Sequence, residues 1–104
     1  IFKDLKGYKL YREQPFVVPL PASEVSKLKT DGNILVQGVI DLLAVRGDEA
    51  IIVDYKTSHK NADALKSTYA EQLALYKKAV EKTLKLKVVR LVLFNIMSAE
   101  TIDL

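Results

Sequence analysis

Asp41, Asp54 and Lys56 are the residues of this chain whose types and spacing could do chemistry. Each sits in an apolar run rich in β-branched residues: 34–43 reads ILVQGVIDLL and 50–57 reads AIIVDYKT. Such runs form strands. Arg46-Gly47-Asp48-Glu49 lies between them, and either a two-residue turn at Gly47-Asp48 or a four-residue loop on the same centre makes a hairpin. Asp41 then stands opposite Asp54, with Cβ atoms roughly 5 Å apart on one face. Period two puts Lys56 on the face of Asp54. Two like charges held that close to a core repel each other and ask for a cation between them. Carboxylates hold Mg²⁺ through oxygen. The metal would polarise a phosphate and generate hydroxide from water, and a neighbouring lysine can orient the nucleophile or stabilise phosphoryl charge. The bland alternative is a hairpin with surface carboxylates and one salt bridge. The apolar flanks speak against it, because unpaired charge near a core is expensive.

Three ordered segments carry a resemblance: Gly38-Val39-Ile40-Asp41, Asp54-Tyr55-Lys56-Thr57 and Gln72-Leu73-Ala74-Leu75-Tyr76. Together they resemble the motifs of the RecB-type nuclease domain of the PD-(D/E)XK superfamily. Tyr11-Arg12-Glu13-Gln14-Pro15-Phe16 resembles the strand that precedes those motifs. The resemblance runs from about Tyr8 to Ile96 and is greatest toward helicase–nuclease subunits of the AddA type. It implies an α/β, restriction-endonuclease-like core, a β-meander followed by a helix crossover and a further strand (β-β-β-α-β). It also implies Mg²⁺, or Mn²⁺, held by Asp41, Asp54 and the backbone carbonyl of Tyr55, with Lys56 as the catalytic lysine. Gln72 and Tyr76 would lie beside the site and help place a DNA strand. The family places a helix before the first strand, and in RecB-like members that helix brings a histidine to the metal. Here the only histidine is His59, beyond the lysine strand, so that ligand has no counterpart in these residues. Without that helix an exposed apolar patch is expected on the sheet. A parent protein with an ATP-dependent helicase, an AddB-like partner subunit, a role in double-strand-break processing for recombination and a cytoplasmic location follow from the resemblance alone.

The elements that must position these residues can be read along the chain. Tyr8 to Leu20 alternates loosely and ends in prolines, a first strand. Pro21 to Val25 is a connector, and Thr30-Asp31-Gly32-Asn33 is a turn signal. Ser58 to Ala62 is a polar loop, and Asn61 or Asp63 can cap the next element. Leu65, Tyr69, Leu73, Tyr76, Val80 and Leu84 recur at helical spacing, predicting a helix from Ala64 to Leu84. Val88 to Met97 reads as a strand buried on both faces, and Thr101 to Leu104 as the start of another. On the helix, Gln72 and Tyr76 are spaced i, i+4 and share a face; Gln72 is polar inside an apolar stripe, while Tyr76 alone could be core. Gly38 fits either a bulge or a close backbone approach. Glu13 is either a surface glutamate or, by the resemblance, an acid near the metal. His59 is either a loop residue or a phosphate contact. Lys60 and Lys66 suit the DNA backbone as point charges without sequence specificity.

With 104 residues, 49% of them hydrophobic, the chain is one small domain or part of one. It starts at Ile1 and reads as a fragment of a larger protein. No apolar run reaches the roughly 20 residues of a membrane span, and no signal peptide is visible. The absence of cysteine excludes a disulfide or an iron–sulfur cluster within these residues. No G-x-x-x-x-G-K-[ST] phosphate loop is present. The net charge of +3 is mild, but its excess lies after Lys56, which suits a polyanion. Two other readings fit: a stand-alone RecB-like nuclease, and a nuclease-like module that has lost catalysis and binds DNA or a partner.

Overall fold

The computed structural model of the chain describes residues 2–25 and 32–104. The β-branched runs form β1 (Lys9–Pro21), β2 (Asn33–Arg46) and β3 (Glu49–Lys56), with a one-turn helix, α1 (Ala22–Val25), after β1 where the sequence suggests only a connector. β1 and β2 pair antiparallel from Lys9↔Val45 to Pro21↔Asn33. Of the two hairpin loops the sequence allows between β2 and β3, the shorter one forms: Arg46 pairs with Glu49 around Gly47-Asp48. Gly47 takes φ 63° and Asp48 stays at negative φ. A positive φ at the first turn position alone is the type II′ pattern, whose twist suits the flanking strands. Thr30 and Asp31 of the turn predicted before β2 lie outside the described residues.

The helix is α2 (Ala62–Leu84), and Asn61 is its cap, accepting a hydrogen bond from the Ala64 N–H at 2.9 Å. This satisfies one of the first-turn donors that a helix leaves open. Leu65, Leu73, Ala79 and Val80 are buried. Leu73 is wholly enclosed, so truncating it to Ala would cost about 2–5 kcal/mol. Leu84, the last residue of the predicted stripe, is 45% exposed, because the helix ends there and Lys85 turns out at φ 57°. The chain then crosses back as β4 (Lys87–Asn95), parallel to β3, and turns into β5 (Glu100–Asp103). The five-stranded sheet has the order β1-β2-β3-β4-β5, and the mixed α/β architecture is that of a restriction-endonuclease-like core. β4 corrects the sequence reading in two ways. It stops at Asn95, leaving Ile96 and Met97 exposed, and Val89 is squeezed out of the ladder. Ala50 pairs with Val88 and Ile51 with Arg90, so Val89 is the extra residue of a bulge and faces solvent.

Each sheet face has its own core. α2 covers Phe16, Val18, Leu20, Ile40, Leu43, Ile52 and Leu93. Leu42, Ala44, Ile51, Val53 and Val92 pack on the other face with Leu5 and Tyr8, brought there by a 3-10 turn at Phe2–Leu5. Ile40 and Leu43 thus share a face although they are three residues apart. A strand alternates with period two, so β2 slips phase once, at Asp41. β1 matches the slip: Arg12 pairs with Leu42 and Gln14 with Ile40, but no Glu13–Asp41 pair forms, and Glu13 takes φ 51°. Beyond the slip, Val17, Leu35 and Val39 lie exposed on the face away from α2, at 56%, 65% and 49%.

The 3-10 turn is tied down by Arg90. Its guanidinium bonds both carboxylate oxygens of Asp103 and reaches Asp4 at 3.1 Å. Arg90 hydrogen bonds hold the Asp103 carboxyl below the ordinary carboxylate range, against a smaller effect of burial. A folded-state value below the unfolded one gives stability that is present above about pH 4 and lost as pH falls through the folded value. The Asp103 side chain is half exposed, so solvent screens the pair and its contribution should stay near 1 kcal/mol. Asp103→Asn is therefore expected to lower the denaturation midpoint slightly at pH 7. In urea titrations down to pH 3 the gap between variant and parent should close; a gap independent of pH would refute the clamp.

Candidate active site

The β2–β3 ladder ends at Leu42↔Val53. One step further, the Asp41 side chain takes over the role of a strand partner: its Oδ2 accepts the Tyr55 N–H at 2.9 Å. Asp41 and Asp54 are therefore not a regular cross-strand pair, as simple hairpin register predicts. The phase slip at Asp41 nevertheless leaves the two carboxyl groups within hydrogen-bonding reach of each other. Asp54 is 4% exposed, and Lys56 Nζ lies 2.8 Å from its Oδ2. At that distance the two are ion-paired whatever the angle, because attraction between charges is not directional. Burial pushes the Asp54 carboxyl above the usual carboxylate range; Lys56 pulls it down, but the hydrogen bond and charge of Asp41 push it up again. Burial works against the charge on Lys56. The hydrogen bond and charge of Asp54, aided by Tyr69 and Asp41, outweigh it and hold the ammonium above the usual lysine value.

α2 closes one side of this group. Gln72 Nε2 donates to Tyr76 Oη at 3.0 Å, while Gln72 Oε1 is buried without a partner. Burial, then the charge of Asp54, raises the Tyr76 hydroxyl above its ordinary value, and the Gln72 bond opposes the shift. Tyr69, which the sequence shows only as part of the apolar stripe, lies under Lys56, with Nζ 4.0 Å from its ring centroid. Tyr55 turns its ring to the opposite sheet face, edge-on to Phe94 at 6.2 Å, and contributes backbone to the site. Glu13 is exposed and lines an open pocket with Arg12, Asp41 and Tyr55. His59, Lys60 and Lys66 are exposed on the loop and first turns of α2. Among the described residues no third carboxylate or imidazole joins Asp41 and Asp54. A buried carboxylate with a second, half-buried one acting on it does fit a hard cation. Mg²⁺ suits such a pair because it keeps several waters.

Sequence reasoning missed two supports. Asn95 is 1% exposed; its Oδ1 accepts from Ser58 N at 3.3 Å and Met97 N at 3.2 Å, and its Nδ2 donates to Ser58 O at 2.9 Å. It locks the chain just after Lys56 to the end of β4. An asparagine at the end of an apolar run was the available signal. The left-handed Glu13 left none, since glutamate has no preference for that conformation. It costs about 1–2 kcal/mol.

Gly38 is resolved as a close approach. A Cβ there would meet Phe16 Cζ at 3.0 Å and Tyr76 Cε1 at 3.5 Å. Phe16 in turn packs edge-on against Tyr76, centroids 5.3 Å apart. The glycine thus makes room for the ring that sets Tyr76. Gly38→Ala should cost about 1–3 kcal/mol by overpacking, read by chemical denaturation. Phe16→Leu in the same chain should recover part of that loss; strictly additive losses would contradict the account.

The sequence matches the PD-(D/E)XK nuclease superfamily over residues 6–103. It is similar to the AddA-type subunits of ATP-dependent helicase/nucleases: 35% identical to that of Clostridium acetobutylicum over 96% of this chain, 40% to that of Ligilactobacillus salivarius over 92%, and 42% to that of Bacillus velezensis over 85%. In each case the match spans 8% of the relative's own length. The order of the three motifs, the sheet topology and these matches agree, and the chain belongs to the PD-(D/E)XK nuclease superfamily.

Proposed function

We propose that these residues form the Mg²⁺-dependent nuclease site of an ATP-dependent helicase–nuclease, cleaving DNA phosphodiester bonds during double-strand-break repair and recombination. The observation that carries this is the buried Asp54 with Lys56 2.8 Å from it and the half-buried Asp41 close enough for its hydrogen bond and charge to act on Asp54. A structural ion pair with Lys56 needs one carboxylate, and Asp41, although it also accepts the Tyr55 N–H, adds repulsion to that pair. A cation shared by the two would remove that cost. The names of the relatives support the helicase–nuclease context.

Asp41 and Asp54 would hold the ion, with the Tyr55 backbone carbonyl as a third protein ligand by family resemblance. When bound, Mg²⁺ supplies Lewis-acid charge at a phosphate and makes water easier to deprotonate. The ammonium of Lys56, kept charged by Asp54, stands ready to hold the attacking water in line or to stabilise charge on phosphoryl oxygens. Gln72 and Tyr76 would hold the substrate strand from the α2 side, and Lys60 and Lys66 would add non-specific attraction to its backbone. ATP hydrolysis would belong to other parts of the parent polypeptide. Its partner would be an AddB-like protein, and its compartment the cytoplasm.

Two measurements on the full polypeptide test this. Asp54→Ala or Lys56→Ala should abolish cleavage of linear DNA while leaving ATP hydrolysis intact; equal loss of both in a folded protein would overturn the division. Mg²⁺ or Mn²⁺ should also raise the melting temperature of the domain by mass action. That shift should vanish in Asp41→Asn and Asp54→Asn; an undiminished shift would place the ion elsewhere.

A further inference from the structure

We propose that Tyr69 is a positioning residue for Lys56, its ring face serving as the anchor that holds the ammonium when Asp54 is engaged by a cation. This rests on the role given to Lys56 above. The ammonium lies between two groups: Asp54 Oδ2 at 2.8 Å and the Tyr69 ring centroid at 4.0 Å. They come from different elements, the end of β3 and the second turn of α2. Lysine has a flexible four-carbon stem and loses much rotamer freedom when fixed. A single anchor leaves it several ways to sit.

The two anchors differ in kind. Asp54 binds by charge, and a divalent ion between Asp41 and Asp54 would draw the same carboxylate toward itself. Two positive charges facing one carboxylate repel each other, so loading the site weakens the hold of Asp54 on Lys56. The ring of Tyr69 is indifferent to that competition. Its quadrupole attracts a cation over its face without neutralising it or occupying the remaining N–H donors. A second carboxylate in its place would add a third negative charge to a pair already in contact. Tyr69 is itself fixed: it is half-buried, on the helix between the buried Leu65 and Leu73, and packs against the main core. The ring face, rather than the hydroxyl, makes the contact with Lys56.

The test compares Tyr69→Phe, Tyr69→Leu and Lys56→Ala in the full polypeptide. One readout is kcat and KM on linear DNA with Mg²⁺. The other is the rate at which an N-hydroxysuccinimide ester acylates Lys56, measured by peptide mass spectrometry with and without Mg²⁺. Tyr69→Phe keeps the ring and should leave both readouts within about threefold. Tyr69→Leu keeps apolar bulk without the π face. Its kcat should fall by about tenfold with KM little changed, and Lys56 should label several-fold faster, most of all with Mg²⁺ present. A Phe variant as impaired as the Leu variant would assign the effect to the hydroxyl and overturn the proposal. So would a Leu variant that raises only KM, which marks a DNA contact, or one with unchanged labelling. Undiminished cleavage by Lys56→Ala would instead overturn the role of Lys56, while the labelling arm would still report whether Tyr69 holds it.

Discussion

The hydrogen bond from the Tyr55 N–H to the Asp41 carboxylate is the contact on which the site depends. A hairpin that ran on regularly past Leu42↔Val53 would pair Asp41 and Asp54 backbone to backbone. Here a side chain replaces the missing backbone acceptor instead. The Tyr55 N–H is satisfied, as a buried donor must be, and Asp41 gains a fixed orientation. The phase slip in β2 and the left-handed Glu13 in β1 are the backbone form of the same event, since both strands change phase at one level. β3, meanwhile, runs on straight beside β4 as far as Lys56↔Asn95. Asp54 and Lys56 therefore stay in a regular, well-supported strand while Asp41 reaches across to them.

This arrangement opposes the hydrophobic effect locally. Asp54 is as buried as much of the core, and its raised titration point records the cost. Its neighbours along the sheet are apolar and enclosed: Ile52, Val53 and Leu93. Asn95 is enclosed as well without leaving an unsatisfied polar atom, because both ends of its amide are bonded. Gln72 is the contrast, with a buried oxygen that nothing in the fold satisfies. Asn95 is thus fully paired, while Gln72, hydrogen-bonded to Tyr76, keeps one oxygen free.

Much of this was legible in the sequence, for reasons that differ by residue. The hairpin centre followed from Gly47-Asp48, because few residues besides glycine take positive φ easily. The helix followed from the spacing of Leu65, Leu73 and Val80, which the structure buries. The grouping of Asp41, Asp54 and Lys56 could be anticipated from alternation, although alternation fails at Asp41 itself. What could not be read was irregular backbone. Glu13, Val89 and the phase slip depart from a period, and a period is all that a single sequence shows directly. Tyr69 reads as core because an aromatic in an apolar stripe is core in most helices; its contact with Lys56 is set by the tertiary approach of α2 to β3.

That approach ties stability to chemistry. α2 presents Leu65, Leu73, Ala79 and Val80 to the sheet and, interleaved with them, Tyr69, Gln72 and Tyr76 to the charged group. A helix turns by 3.6 residues, so these two sets lie on adjoining strips of one surface. Any rotation or slide of α2 that repacked the leucines would move the tyrosines and the glutamine with them. The Phe16–Gly38 contact adds a stop from the sheet side, since Phe16 packs edge-on against Tyr76 and a Cβ at position 38 would crowd it. Cores are close-packed and resist such shifts. The site thus takes its positional accuracy from the same leucines that hold the domain together, so even conservative core substitutions along α2 act on the geometry around Lys56.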